Sequence, residues 1–217
     1  STASLVTLFI FTFSLTAFAA WTDELKCTKI SGGEDHTLVL TANNWPYACG
    51  YNGEYQLGIG SSSNQYYLVR VHGTGDVGFL EDINDISAGW THSLALKSDG
   101  TVRSWGWNSV GQLGDGSQVE KETPVQVLKG EQQSSSNFLE NIIAISAGRS
   151  GLYSLTVDAN HFVYAFGKNN YGQLGDDYQG HNALTPVKVH DGQQNSASGY
   201  LENIVAVSAG EESAMAL

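Results

Sequence analysis

An all-β chain, forming about three blades and the start of a fourth of a β-propeller, is predicted by three observations in the sequence. A unit of roughly sixty residues recurs along the chain. Its apolar segments are about four to six residues long, rich in β-branched and aromatic side chains, and bounded by glycine. No stretch carries the i, i+3, i+4 spacing of an amphipathic helix. Composition agrees: among 217 residues, 25 are glycine, 41% are apolar and only 15% are charged, which suits a packed core and neither a disordered nor a coiled-coil chain.

The first segment stands apart from the repeats. Residues 5–20 read LVTLFIFTFSLTAFAA, and no charged side chain precedes Asp23. Such a run is short for a membrane span, which takes about twenty residues. Ala17, Phe18 and Ala19 form a small-x-small cleavage pattern, so residues 1–19 are expected to be a signal peptide lacking its basic n-region, cut before Ala20. An uncleaved membrane anchor is the alternative. Residues 20–29 then form a linker. The chain stops at Leu217, inside a repeat, and is expected to be a piece of a longer protein.

From residue 30 the repeats follow in order. ISGGEDHTLVL (30–40), ISAGWTHSLAL (86–96), ISAGRSGLYSL (145–155) and VSAGEESAMAL (207–217) align on Gly33, Gly89, Gly148 and Gly210. A second block follows the first three: YACGYNGEYQLGIG (47–60), RSWGWNSVGQLGDG (103–116) and YAFGKNNYGQLGDD (164–177). TPVQVLKG (123–130) and TPVKVHDG (185–192) lead into the next unit, with LVRVHG (68–73) a looser version. Each unit supplies about four strands. Ser98-Asp99-Gly100 marks a hairpin, because glycine accepts the positive φ of a tight turn. Four short antiparallel strands at this period make a propeller blade, which can cover its sheet faces only by stacking on neighbours.

The constant positions find roles on this scheme. Leu57, Leu113 and Leu174 recur in QLG and should be core between blades; Cys49, Trp105 and Phe166 share one register and should also be buried. Asn52, Asn108 and Asn169 coincide as turn-capping amides. Cys27 and Cys49 are the two cysteines, and either a disulfide between them or a buried free Cys49 fits the sequence.

The succession ISAG-x-x-H-S-L-A-L, S-D-G-T-V-x-S-W-G-x-N and G-Q-L-G-D-G, clearest at residues 86–116, resembles the regulator of chromosome condensation repeat, over residues 30–217. The resemblance implies a seven-bladed propeller, of which about half is present, and with the apolar leader it suggests a secreted bacterial-type member. Tyr55 departs from the pattern, standing where the other units have Gly111 and Gly172; Gly151 and Ser213 stand where His36 and His92 keep the repeat's histidine. Functions implied by the family are diverse. They include nucleotide exchange on the small GTPase Ran with chromatin docking, enzyme inhibition, and interaction platforms. No exchange motif maps here residue by residue.

Charge and motifs narrow the chemistry. The net charge of −12, with only 10 Lys and Arg scattered along the chain, disfavours a nucleic-acid surface. Gly73-Thr74-Gly75-Asp76-Val77-Gly78 matches GxGxxG but continues into a strand-like segment, whereas a dinucleotide site needs a helix there. No GxSxG, HExxH, P-loop or zinc spacing occurs, and no cofactor is expected. Glu34-Asp35-His36 has the residue types of a catalytic or metal cluster, yet His36 aligns with His92, which favours a repeat histidine bonded inside the blade; His72, His161, His181 and His190 share no register with it.

Variation within the repeat points to one face. After SAG the units diverge to Glu34-Asp35, Trp90-Thr91, Arg149-Ser150 and Glu211-Glu212, and after the third-strand glycine to Tyr51, Trp107 and Lys168. Equivalent positions of successive blades lie on one side of a propeller, so variable side chains sit there on a constant scaffold. The expectation is a secreted or periplasmic, non-enzymatic module that binds a protein partner, with no stable membrane insertion after cleavage. A GTPase exchange factor and an exported hydrolase with a site spread over several blades are the alternatives.

Overall fold

Each glycine-bounded apolar segment becomes a strand. The computed structural model describes residues 26–178, 180–192 and 198–217. The expected signal peptide and most of the expected linker lie outside the described residues, among which no helix is long and apolar enough to cross a membrane. Strands β1 (Cys27–Gly32), β2 (His36–Thr41), β3 (Pro46–Gly50) and β4 (Gln65–Arg70) form the first sheet. β5 (Ile83–Ala88), β6 (His92–Lys97), β7 (Val102–Gly106) and β8 (Lys121–Gln126) form the second, and β9 (Ile142–Ala147), β10 (Tyr153–Asp158), β11 (Val163–Gly167) and β12 (Ala183–Lys188) the third. β13 (Val207–Ala209) and β14 (Ala214–Ala216) open a fourth. Strands within each sheet are antiparallel and in sequence order, the meander of a propeller blade. Because β1 begins at Cys27, the repeats start slightly before the expected boundary at residue 30.

Turn chemistry matches the hairpin expectation. Between β6 and β7, Gly100 has φ 78°, and the Asp99 carboxylate accepts the N–H and hydroxyl of Thr101. Asn44 and His161 take the same left-handed place in the neighbouring blades. Tyr55 does so as well at the position of Gly111 and Gly172, with φ 59°, so the first blade keeps its turn despite the bulky residue.

Successive blades are joined by a repeated contact. The SAG serines reach forward: Ser31 Oγ accepts the Ala88 N–H, Ser87 Oγ that of Ala147, and Ser146 Oγ that of Ala209, each at 2.9 Å. The first strands β1, β5, β9 and β13 therefore adjoin one another in series. Apolar clusters fill the joints. Leu38, Leu57, Ile86 and Trp105 belong to the first, and Leu94, Val127, Ile145 and Phe166 to the second.

Leu57, Leu113 and Leu174 are buried as expected, and so are the three asparagines. Asn52, Asn108 and Asn169 hold the QLG loop by accepting the N–H of Leu57, Leu113 and Leu174 at 2.9, 3.0 and 3.1 Å. Leu113→Ala should lower the unfolding free energy by about 2–5 kcal/mol, read as a shift in the urea midpoint at unchanged m-value. A loss below about 1 kcal/mol would show that the loop relaxes over the space.

Three expectations are corrected. Cys49 is half-buried rather than core: among the described residues no loop of a preceding blade covers it as Gly58 covers Trp105 and Gly114 covers Phe166. Cys27 is exposed and both thiols are free. Cys27 faces Thr41 while Cys49 faces Thr37, on opposite sides of β2, so about 13 Å of strand and two strand spacings separate them. That exceeds the roughly 7 Å Cα limit of a disulfide. In the third blade, Tyr153 and not Gly151 occupies the histidine place: Tyr153 pairs with Gly167 as His92 does with Gly106, so two residues are inserted in the loop before it.

The outer faces at both ends of the series carry apolar side chains. Ile30 is 64% and Tyr66 94% exposed in the first sheet, and Met215 and Leu217 are exposed in the last.

Candidate interaction face

The two variable registers meet because one backbone bond is repeated in every blade. Tyr51 N–H donates to the Asp35 carbonyl at 2.8 Å, Trp107 N–H to that of Thr91 at 2.9 Å, and Lys168 N–H to that of Leu152 at 2.8 Å. The residue after β3, β7 or β11 is thereby fixed against the loop that precedes β2, β6 or β10. Gly106 must be glycine for this approach: its φ is 101°, and a Cβ there would lie 2.6 Å from the Thr91 carbonyl oxygen. Between blades, Trp90 N–H donates to the Gly148 carbonyl at 2.9 Å.

The eight expected face residues therefore share one end of the sheets. Glu34, Asp35, Arg149 and Glu211 are exposed, and Tyr51 and Trp90 are 43% and 39% exposed. Trp107 and Lys168 are half-buried instead. Lys168 Nζ lies 3.7 Å from a Glu212 oxygen and over the Tyr171 ring. Partly exposed tryptophan, tyrosine and arginine are the side chains that anchor protein interfaces.

Glu34-Asp35-His36 does not converge into a reacting group. Both carboxylate residues point to solvent, whereas His36 is buried and its Nε2 lies 2.9 Å from Ser93 Oγ of the next blade. His92 repeats the contact with Ser154 at 3.0 Å. Burial holds both imidazoles neutral, with pKa values lowered to about 4 for His36 and about 3 for His92, where the nearby His36 adds to the effect. In the third blade Tyr153 reaches the Ser213 carbonyl at 2.5 Å, and Ala214 stands where the other blades have Ser93 and Ser154. Among the described residues no three His, Cys, Asp or Glu side chains are grouped to hold a metal. Gly73–Gly78 forms a short turn, with a 3-10 segment at Thr74–Asp76, and leads to β5 rather than to a helix, so it offers no dinucleotide site.

The structure adds two residues that the sequence reading missed. Glu54, from the loop before Leu57, and Leu152, from the inserted pair, line one small cleft with Trp90, Thr91 and Trp107. The insertion was the available signal for Leu152. Glu54 is marked by nothing in its own repeat.

Comparison with known proteins agrees with the geometry. A family profile described as the regulator of chromosome condensation (RCC1) repeat matches residues 47–96, 99–153 and 160–217. The chain is 30% identical over 150 residues to the ultraviolet-B receptor UVR8 of Arabidopsis thaliana, covering 69% of this chain and 31% of that protein. It is 30% identical over 157 residues to the protein RCC2 homolog of Danio rerio, covering 72% and 29%. Its fold is similar to that of Prp20p from Saccharomyces cerevisiae, with a TM-score of 0.66 at 20% identity, covering 85% of this chain and 42% of that one. The chain thus spans about a third of the length of these curated relatives.

Proposed function

The chain belongs to the regulator of chromosome condensation (RCC1) repeat family, and on that premise we propose that it is a non-enzymatic propeller that binds a protein partner through the face bearing Trp90, Tyr51 and Arg149. One observation carries this reading: an identical backbone bond in three blades presents a different side chain each time, Tyr51, Trp107 or Lys168. A constant frame with variable tips is how binding specificity is placed on a rigid scaffold. The binding described for Prp20p, to Gsp1p and histones, is consistent with a protein partner. The apolar run at residues 5–20, with its Ala17-Phe18-Ala19 pattern, supports export to a secreted or periplasmic location.

The test uses the full-length reading frame with its own leader, with mass-spectrometric identification of the protein that co-purifies with the exported form. Trp90→Ala should weaken that complex by more than about 1 kcal/mol, roughly fivefold in Kd, at nearly unchanged Tm. A large fall in Tm with unchanged affinity would place Trp90 in the scaffold and overturn the reading. Retention in the cytosol with the leader intact, together with capture of a small GTPase, would replace it with an exchange factor.

A further inference from the structure

A small cleft lies between Trp90 and Trp107 on this face. We propose that this cleft binds the ammonium group of a lysine side chain projecting from a basic partner segment. The inference rests on the partner-binding reading above and gives it a chemistry. The cleft has a volume of about 130 Å³ and draws on three blades: Glu54 from the first, Trp90, Thr91 and Trp107 from the second, Leu152 from the third.

Four of the lining residues suit such a guest. Two indole side chains line the cleft, and an aromatic ring attracts a cation the more strongly as water is excluded. Leu152 supplies apolar surface for the methylene stem of lysine, which buries readily while its charged end finds polar groups. Glu54 lines the cleft, and among the described residues no cation pairs with it. An incoming ammonium has three donors, and the Glu54 carboxylate can accept from it. The net charge of −12, and the exposed Glu34 and Asp35 on the same face, favour a basic segment over an acidic one.

The other blades lack this combination. Tyr51 and Glu34 occupy the tryptophan positions in the first, and Lys168 and Arg149 in the third, where a cation is already present. One lysine-sized site therefore sits on a face of otherwise different tips.

The experiment follows the indole N–H resonances of Trp90 and Trp107 in the folded protein. The probe is acetyl-pentalysine amide, and the control is the same peptide with every side-chain amine acetylated. The lysine peptide should shift both indoles saturably and the acetylated peptide should not. Glu54→Gln should weaken binding about fivefold. Trp107→Phe should retain most of the affinity that Trp107→Leu loses, because phenylalanine keeps a π-face. Absence of a saturable shift, a shift indifferent to Glu54→Gln, or equal binding of the acetylated control would each overturn the proposal. If the co-purified partner depends on Trp90 but not on Glu54, and pentalysine does not displace it, the cation site fails while the interaction face stands. If pentalysine binds and Trp90→Ala leaves partner affinity unchanged, the interaction face fails instead.

Discussion

Trp105→Ala should lower the unfolding free energy by about 3–5 kcal/mol, a loss at the upper end for a single core truncation. The reason lies in the joint between the first two blades. Trp105 sits on β7, is completely buried, and packs under the QLG loop of the preceding blade. A Cβ on Gly58 would lie 2.8 Å from its Cδ1 and Nε1 atoms, so loop and ring are in direct contact. Trp105 Nε1–H donates to the Gln56 carbonyl at 2.9 Å, and the same oxygen accepts Ser93 Oγ–H at 2.8 Å. Truncation therefore empties a ring-sized space and removes one of two bonds that tie Gln56 to the second blade. Trp105→Phe separates the two effects. Phe166 fills the matching place in the third blade against Gly114, so phenylalanine is compatible with the site and should lose mainly the hydrogen bond, about 1–2 kcal/mol. Urea unfolding followed by circular dichroism measures both. Equal losses for the two variants would show that the ring volume contributes nothing, contrary to the packing described here.

This joint also shows what was legible in the sequence. The recurrence of Leu57, Leu113 and Leu174, and of Asn52, Asn108 and Asn169, was enough to identify buried leucines and loop-holding amides, because each keeps one register in every unit and each amide bonds within its own blade. Contacts between blades were less visible. His36 with Ser93, His92 with Ser154, and Tyr153 beside Ala214 form a series in which loss of the serine coincides with loss of the histidine. That signal was in the sequence but obscured, because aligning SAG without a gap set Gly151 against His92. The two-residue insertion moves Tyr153 into place. Cys49 failed for a related reason: its register predicted burial, but burial there comes from the loop of a preceding blade, which register within one blade cannot supply. The cleft was least accessible, since Glu54, Trp90 and Leu152 lie far apart in the chain and meet only when three blades are stacked.

Stability should fall as pH drops from about 6.5 to 4, by about 1.4 kcal/mol per pH unit for each of His36 and His92. The sign follows from which state binds protons. Above pH 6.5 both imidazoles are neutral in the folded and unfolded chain, and they contribute no pH dependence. Below 6.5 the unfolded chain takes up protons that the folded chain refuses, because burial lowers the folded values to about 4 and about 3. Folding is penalised progressively until those values are reached, first for His36 and then for His92. Local geometry explains the refusal. Ser93 gives its hydroxyl hydrogen to the Gln56 carbonyl, and Ser154 gives its own to Gln112 at 2.9 Å, so both serine oxygens accept from histidine Nε2–H. The neutral rings are thus fixed with Nδ1 unprotonated, and neither Nδ1 has an acceptor for a second proton. Asp99 and Asp115, whose pKa values partial burial raises but bonds to Thr101, Lys121 and Ser117 and nearby cations bring below the usual 3.8, act in a separate window. Their contribution is present above pH 3.8 and is lost only below it. Replacing both histidines by glutamine keeps a donor for each serine and removes the titration. Chemical denaturation at pH 7.5, 6.5, 5.5 and 4.5 should show a steep decline for the parent chain and a nearly flat profile for His36→Gln/His92→Gln between 6.5 and 4.5. Parallel slopes would mean that other groups take up the protons and that the two blade-joining histidines are not the source of acid sensitivity.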